Sequence, residues 1–126
     1  MGLIYTILTS ILLSIGAGSV PYTEIERAFE ANDSDKIVAL AKTKVLINVL
    51  GKESVYSRPQ ASLVLKDFFT RKPGGAFDFI FKGKESTEGT FAIGNYTSRG
   101  EVFRVTIHFK KLEGVFKIES LTIEKA

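Results

Sequence analysis

One stretch of this chain restricts its fold more than any other. A capped helical segment from Ser57 to about Lys72 meets a Pro73-Gly74-Gly75 break, and four alternating strands follow with almost no helix-compatible sequence between them. A meander with one apolar face must cover that face. Only helices upstream of it are available to do so.

The alternation gives each strand an inner and an outer side. Phe77, Phe79 and Phe81 share one face, with Asp78, Ile80 and Lys82 on the other. Glu88-Gly89 ends a polar turn, Phe91 to Thr97 form the next strand, and Ser98-Arg99-Gly100 turns the chain. Tyr96 is expected on the face of Ala92 and Gly94. Phe103, Val105, Ile107 and Phe109 then oppose Arg104, Thr106, His108 and Lys110. After Glu113-Gly114 the last strand carries Phe116 and Ile118, then Leu121 and Ile123. The inward parity slips by one near Glu119-Ser120, which predicts a bulge or a bend there.

Upstream, Thr23 and Glu26 form a T-x-x-E capping box for a helix ending near Asn32, with Ile25, Ala28 and Phe29 inward. Asn32-Asp33-Ser34-Asp35 reads as a turn between helices, because these side chains bond locally to backbone. A short helix over Asp35 to Ala41 follows, capped by Asp33 or Ser34. Val45 to Leu50 is a β-branched strand, Gly51-Lys52 a turn, and Glu53 to Tyr56 a short return. Ser57-Arg58-Pro59-Gln60 is a second capping box, opening a helix with Ala61, Leu63, Val64, Leu65, Phe68 and Phe69 on a broad apolar face. The predicted fold is α+β: N-terminal helices packed on a bent antiparallel β-sheet, one domain over 20–126.

Residues 1–19 contain no charged side chain and end in small residues, Gly16-Ala17-Gly18-Ser19. This reads as a signal peptide cleaved after Gly18 or Ser19, so the mature domain is expected to be secreted or periplasmic and free of the membrane. The start lacks the usual Lys or Arg. A membrane anchor needs about 20 apolar residues, and this run is diluted by Ser, Thr and Gly. A buried helix is the other alternative, since Ile4, Ile7, Leu8, Ile11, Leu12 and Ile15 fall on one stripe.

Composition removes whole classes of chemistry. The 126 residues include no Cys, so there is no thiolate nucleophile, disulfide, Cys-ligated metal or lipidated Cys. The one His, His108, cannot form a multi-His metal site, and no acidic calcium loop is present. No metal or cofactor is expected. No phosphate-binding glycine loop, serine elbow or H-E-x-x-H motif occurs. The net charge of +3 is spread among acidic residues. Arg104, His108, Lys110 and Lys117 form a basic outer face diluted by Glu101, Glu119 and Glu124, with no aromatic platform for stacking bases. Nucleic acid is therefore not an expected partner.

The helix-then-meander topology resembles the nuclear-transport-factor-2-like (cystatin-like) superfamily. The stretches Gly51-Lys52-Glu53-Ser54-Val55-Tyr56-Ser57, Leu65-Lys66-Asp67-Phe68-Phe69, Ala92-Ile93-Gly94 and Phe103-Arg104-Val105, then Lys110-Lys111, resemble a small Bacteroidetes family, domain of unknown function 4783. The resemblance covers most of the chain after Tyr22. It implies a cone of helix and sheet and a secretion signal, and carries no activity with it.

Enzymes of that superfamily place Asp, His or Tyr inside the cone. Here the expected lining is Phe68, Phe77, Phe79, Phe81, Ala92, Gly94, Phe103, Val105 and Ile107, none ionisable. Ala92 and Gly94 either leave room for an apolar ligand or let the helix approach. Asp67 with Tyr96 or Tyr56 is the best acid–base set available, against a surface Asp67 paired with Lys66, Arg71 or Lys72. His108 reads as a solvated outer-face side chain. The expected function is a non-enzymatic module binding a small apolar molecule or a protein partner. The alternatives are an isomerase, dehydratase or hydrolase of the superfamily, and a structural homodimer paired through the sheet face.

Overall fold

A computed structural model describes residues 18–126. The expected signal segment lies almost wholly outside the described residues. Three helices and six strands follow: α1 Tyr22–Glu30, α2 Ser34–Ala39, β1 Ala41–Val49, β2 Lys52–Ser57, α3 Arg58–Arg71, β3 Ala76–Lys82, β4 Gly89–Ser98, β5 Glu101–Leu112 and β6 Val115–Lys125. All strands join one sheet in the order β2-β1-β6-β5-β4-β3. The helices cover one face, as the predicted α+β fold requires.

The sheet is antiparallel except at one place. β1 runs parallel to β6, so the fully antiparallel expectation is corrected. The β1–β2 hairpin precedes the meander in the chain, and β1 lies along the free edge of β6 in the parallel sense.

Three hairpins close on two-residue turns, Leu50-Gly51, Arg99-Gly100 and Glu113-Gly114, each with positive φ at both positions. That geometry matches the right-handed twist of the flanking strands. It also moves the first turn one residue earlier than Gly51-Lys52.

Helix ends decide the packing angles. α1 starts one residue before the expected capping box. Pro21 occupies the N-cap without a side-chain bond, and the Ile25 N–H donates to the Pro21 carbonyl at 3.1 Å. Thr23 thus lies inside the helix and caps nothing. At the other end Asn32 takes a left-handed φ of 52°. The Asn32 N–H donates to the Phe29 carbonyl and the Asp33 N–H to the Ala28 carbonyl, the paired bonds of a Schellman stop. Asp33 then caps α2 by accepting from the Lys36 N–H, so the predicted helix-to-helix turn is present. α2 ends at Ala39 rather than Ala41, because Ala41 already pairs with Ile118. The Ser57–Gln60 box caps α3 as the sequence indicates.

Besides an irregular stretch of β1 between Ala41 and Leu46, two bulges fix the sheet's faces. On β6, His108 pairs with Ser120 and Phe109 with Ile118, leaving Glu119 as the extra residue. This is the predicted irregularity. On β3, Phe79 pairs with Gly94 and Phe81 with Ile93, leaving Ile80 as the extra residue. The second bulge was not visible in the alternation. It turns Phe81 out of the core.

The Asn32 stop separates two costs experimentally. Asn32→Gly keeps the positive φ and loses the side-chain bonds, whereas Asn32→Ala loses both. In urea unfolding, the Ala variant is expected to be about 1–2 kcal/mol less stable than the Gly variant.

Candidate functional site

The cone interior is the first place to look, and it is filled. Phe68, Phe77, Ala92, Tyr96, Phe103, Val105 and Ile107 are all buried. Phe29 of α1 stacks on Phe77 of β3 at 4.6 Å and meets Phe69 of α3 edge-on at 5.7 Å. Phe68 packs edge-on against Phe103 of β5 at 5.2 Å. Such edge-to-face contacts between large rings leave no room for a guest.

Gly94 shows why. A Cβ there would lie 2.4 Å from Cζ of Phe77 and 3.1 Å from the Asp78 carbonyl oxygen. The missing side chain is replaced by the Phe77 ring. The expected ligand-lining set is thus corrected: its buried members pack on one another, Phe79 is half-buried against Tyr22 at 5.0 Å, and Phe81 is 47% exposed on the opposite face. None of the nine lines any of the five principal surface depressions.

Of the three acid–base candidates, the structure brings together two. Tyr56 and Asp67 line one open groove of about 310 Å³ between α3 and β2, with Val49, Lys52, Leu63 and Arg71. Asp67 is exposed and pairs with Arg71 at 3.1 Å, one helical turn on. Leu63, expected in the core, is 67% exposed above this groove. Its side of α3 faces away from the sheet.

Tyr96 is elsewhere and does structural work. Its hydroxyl donates to the Lys72 carbonyl at 2.7 Å and accepts from Asn32 Nδ2 at 2.9 Å. Asn32 Oδ1 also accepts from the Gly74 N–H at 3.3 Å. One phenol therefore ties β4 to the stop of α1 and the end of α3. Burial pushes its pKa above the usual 10.0, while the Asn32 bond pulls the other way. Nearby, Lys72 bonds Glu101 at 2.8 Å and holds that carboxyl below its usual range.

The outer face of the sheet holds what the interior does not. His108 is exposed there, as expected, but it is not isolated. Its ring stacks on Phe91 at 5.6 Å, and Phe91 meets Phe81 at 5.2 Å. The expectation that this face lacks aromatics is corrected: the β3 bulge delivers Phe81, and Phe91 alternates with buried Ala92. Beside this row lies an open depression of about 630 Å³, bordered by Lys42, Lys44, His108, Lys110 and Glu119. Lys42 and Glu119 are 3.5 Å apart. Among the described residues no group of acidic side chains and His is placed to hold a metal ion.

The comparisons agree with this fold. The sequence model of the family described as domain of unknown function (DUF4783) matches residues 22–124. A DUF4783 protein from Bacteroides uniformis is 25% identical, aligns over 86% of this chain and 98% of its own, and superposes with a TM-score of 0.78. One from Bacteroides fragilis is 22% identical over 86% of this chain and 100% of its own, with a TM-score of 0.77. A ketosteroid isomerase-like protein from Erwinia carotovora shares the fold at 14% identity, covering 78% and 85% of the two chains with a TM-score of 0.62. No curated protein matches the chain.

Two substitutions test the site as described. Gly94→Ala is expected to cost about 1–3 kcal/mol by overpacking, and less when Phe77→Leu is already present, in a double-mutant cycle by urea unfolding. Tyr96→Phe is expected to cost about 1–3 kcal/mol near pH 7 by leaving Asn32 and Lys72 groups unpaired. Above pH 10 the unfolded chain releases the phenolic proton while the folded one retains it, so the wild type loses stability as pH rises. The gap between wild type and Tyr96→Phe should therefore narrow there.

Proposed function

Because the chain belongs to the DUF4783 family, whose description names no activity, we propose from its geometry that it is an exported, non-catalytic binding module. Its working surface is the outer face of the sheet. The observation that carries this reading is an inversion of the expected arrangement. The cone is occupied by the protein's own rings, down to Phe77 in the space of a Gly94 side chain. Meanwhile Ile80, Phe81 and Phe91 stay exposed on the outer face beside His108. An exposed apolar patch rimmed by polar side chains is a mark of an interaction surface.

Export is part of the proposal. It is supported by the uncharged, apolar residues 1–15 and the small residues 16–19 that follow. The family match begins at residue 22, beyond that segment.

An isomerase- or hydrolase-type reading has one place to stand, the groove shared by Tyr56 and Asp67. It is weakened there by exposure of Asp67 and its pairing with Arg71. General acid–base work needs a carboxyl shielded from water and aimed at a bound substrate.

In-cell photo-crosslinking decides between the surfaces. A benzoylphenylalanine placed at position 91 is expected to give a discrete adduct in the periplasmic or secreted fraction, on a protein lacking residues 1–18 or 1–19. The same probe at position 63, over the groove, is expected to give none. Adducts at 63 alone, or an uncleaved cytoplasmic product, would contradict the proposal.

A further inference from the structure

The outer-face reading leaves the partner's chemistry open, and the layout of that face narrows it. Strand pairing sets one side chain from each strand in a row across the sheet: Val55, Leu46, Ser120, His108 and Phe91. The Phe91–Phe81 contact extends the row onto β3. Val55, Phe81 and Phe91 are 59%, 47% and 37% exposed. Six strands at about 4.8 Å make this row roughly 24 Å long.

Its two banks differ. On one side lie Lys42, Lys44, Lys110 and Lys117, with Lys110 and Lys117 directly opposed in register. Glu119 is the carboxylate among them, on Lys42. Four lysines against one carboxylate leave a local excess equal to the whole chain's +3. Glu88 and Lys111 border the adjoining depression and offset each other. The opposite bank carries Asn48, Thr122, Thr106 and Ile93, with Glu53 at the edge, and beyond them Arg104 and Glu124 stand opposed in register and offset each other.

A row apolar at both ends, Val55 and Leu46 at one and Phe91 and Phe81 at the other, around Ser120 and His108 and with its lysines banked on one side, fits one kind of occupant. We propose that this face docks an acidic amphipathic helix of a partner protein, laid across the strands. Its apolar stripe rests on the Val55–Phe81 row and its carboxylates lie over Lys44, Lys110 and Lys117. A row of about 24 Å matches roughly 16 helical residues. The proposal rests on the outer-face reading above.

Two rival occupants fit less well. A single-stranded nucleic acid needs open ring faces, but Phe91 stacks on His108 at 5.6 Å and meets the tilted Phe81 ring at 5.2 Å on its other side. A second copy, turned about an axis along the strands, would set lysines against lysines. Turned about the row itself, it would set them against Asn48, Thr122 and Thr106, which carry no compensating charge.

The test uses the full chain and a labelled 18-residue helical peptide with a Leu stripe flanked on one side by Glu, read by fluorescence anisotropy. This peptide is expected to bind at least ten-fold tighter than one with the stripe changed to Ser, and than one with Glu changed to Lys. Lys44→Glu with Lys110→Glu, on the solvent face, is expected to weaken it at least ten-fold while leaving the circular dichroism unchanged. Phe91→Ser should weaken it similarly. Equal binding of the Ser-stripe peptide, heparin or oligo-thymidylate would reduce the face to a charge patch and overturn the proposal. So would a sedimenting dimer that binds no peptide. A crosslink from position 91 to a partner without an acidic helix overturns this proposal and leaves the outer-face reading intact. Absence of any adduct at 91 overturns both.

Discussion

Among the described residues, the Tyr96 hydroxyl is the one group that joins β4 to the ends of both α1 and α3. The ring lies in the aromatic core and its oxygen reaches past it to the ends of two helices. A buried phenol without partners is costly, so the position of each helix end is set by the need to satisfy it. The Asn32 side chain can serve it only because the residue adopts the left-handed conformation that stops α1. The end of α3 can serve it only because the chain leaves the helix at Lys72 and exposes that carbonyl. Helix stop, strand face and turn are therefore one condition met three times.

From that anchor the rest of the packing follows. With α1 and α3 fixed over β4, Phe29, Phe68 and Phe69 converge on Phe77 and Phe103, and the cone closes. The interior of the cone is thereby taken up by the chain's own rings. On the sheet's back, alternation and two bulges choose which side chains appear.

Much of this was legible in the residues. Period-two alternation assigned Phe103, Val105 and Ile107 inward and His108 outward, and the parity slip located the extra Glu119. Capping chemistry placed the start of α3. Less legible was the β3 bulge, because Phe77, Phe79 and Phe81 alternate perfectly in sequence. Only pairing with Gly94 and Ile93 reveals that Ile80 is skipped and Phe81 reversed. The role of Tyr96 was equally hidden, since its partners lie far away along the chain. The filled space at Gly94 could not be read either: a small residue signals a gap in one strand, and says nothing about which neighbour occupies it.

The parallel contact between β1 and β6 has a consequence in time. Ile47 pairs with Ser54 in its own hairpin, but its other neighbour is Leu121, near the end of the chain. During synthesis the first hairpin must wait, without a sheet to join, until nearly all of the chain has emerged. Such long-range closure makes folding slow and late. Until β6 arrives, one edge of β1 has no strand to pair with.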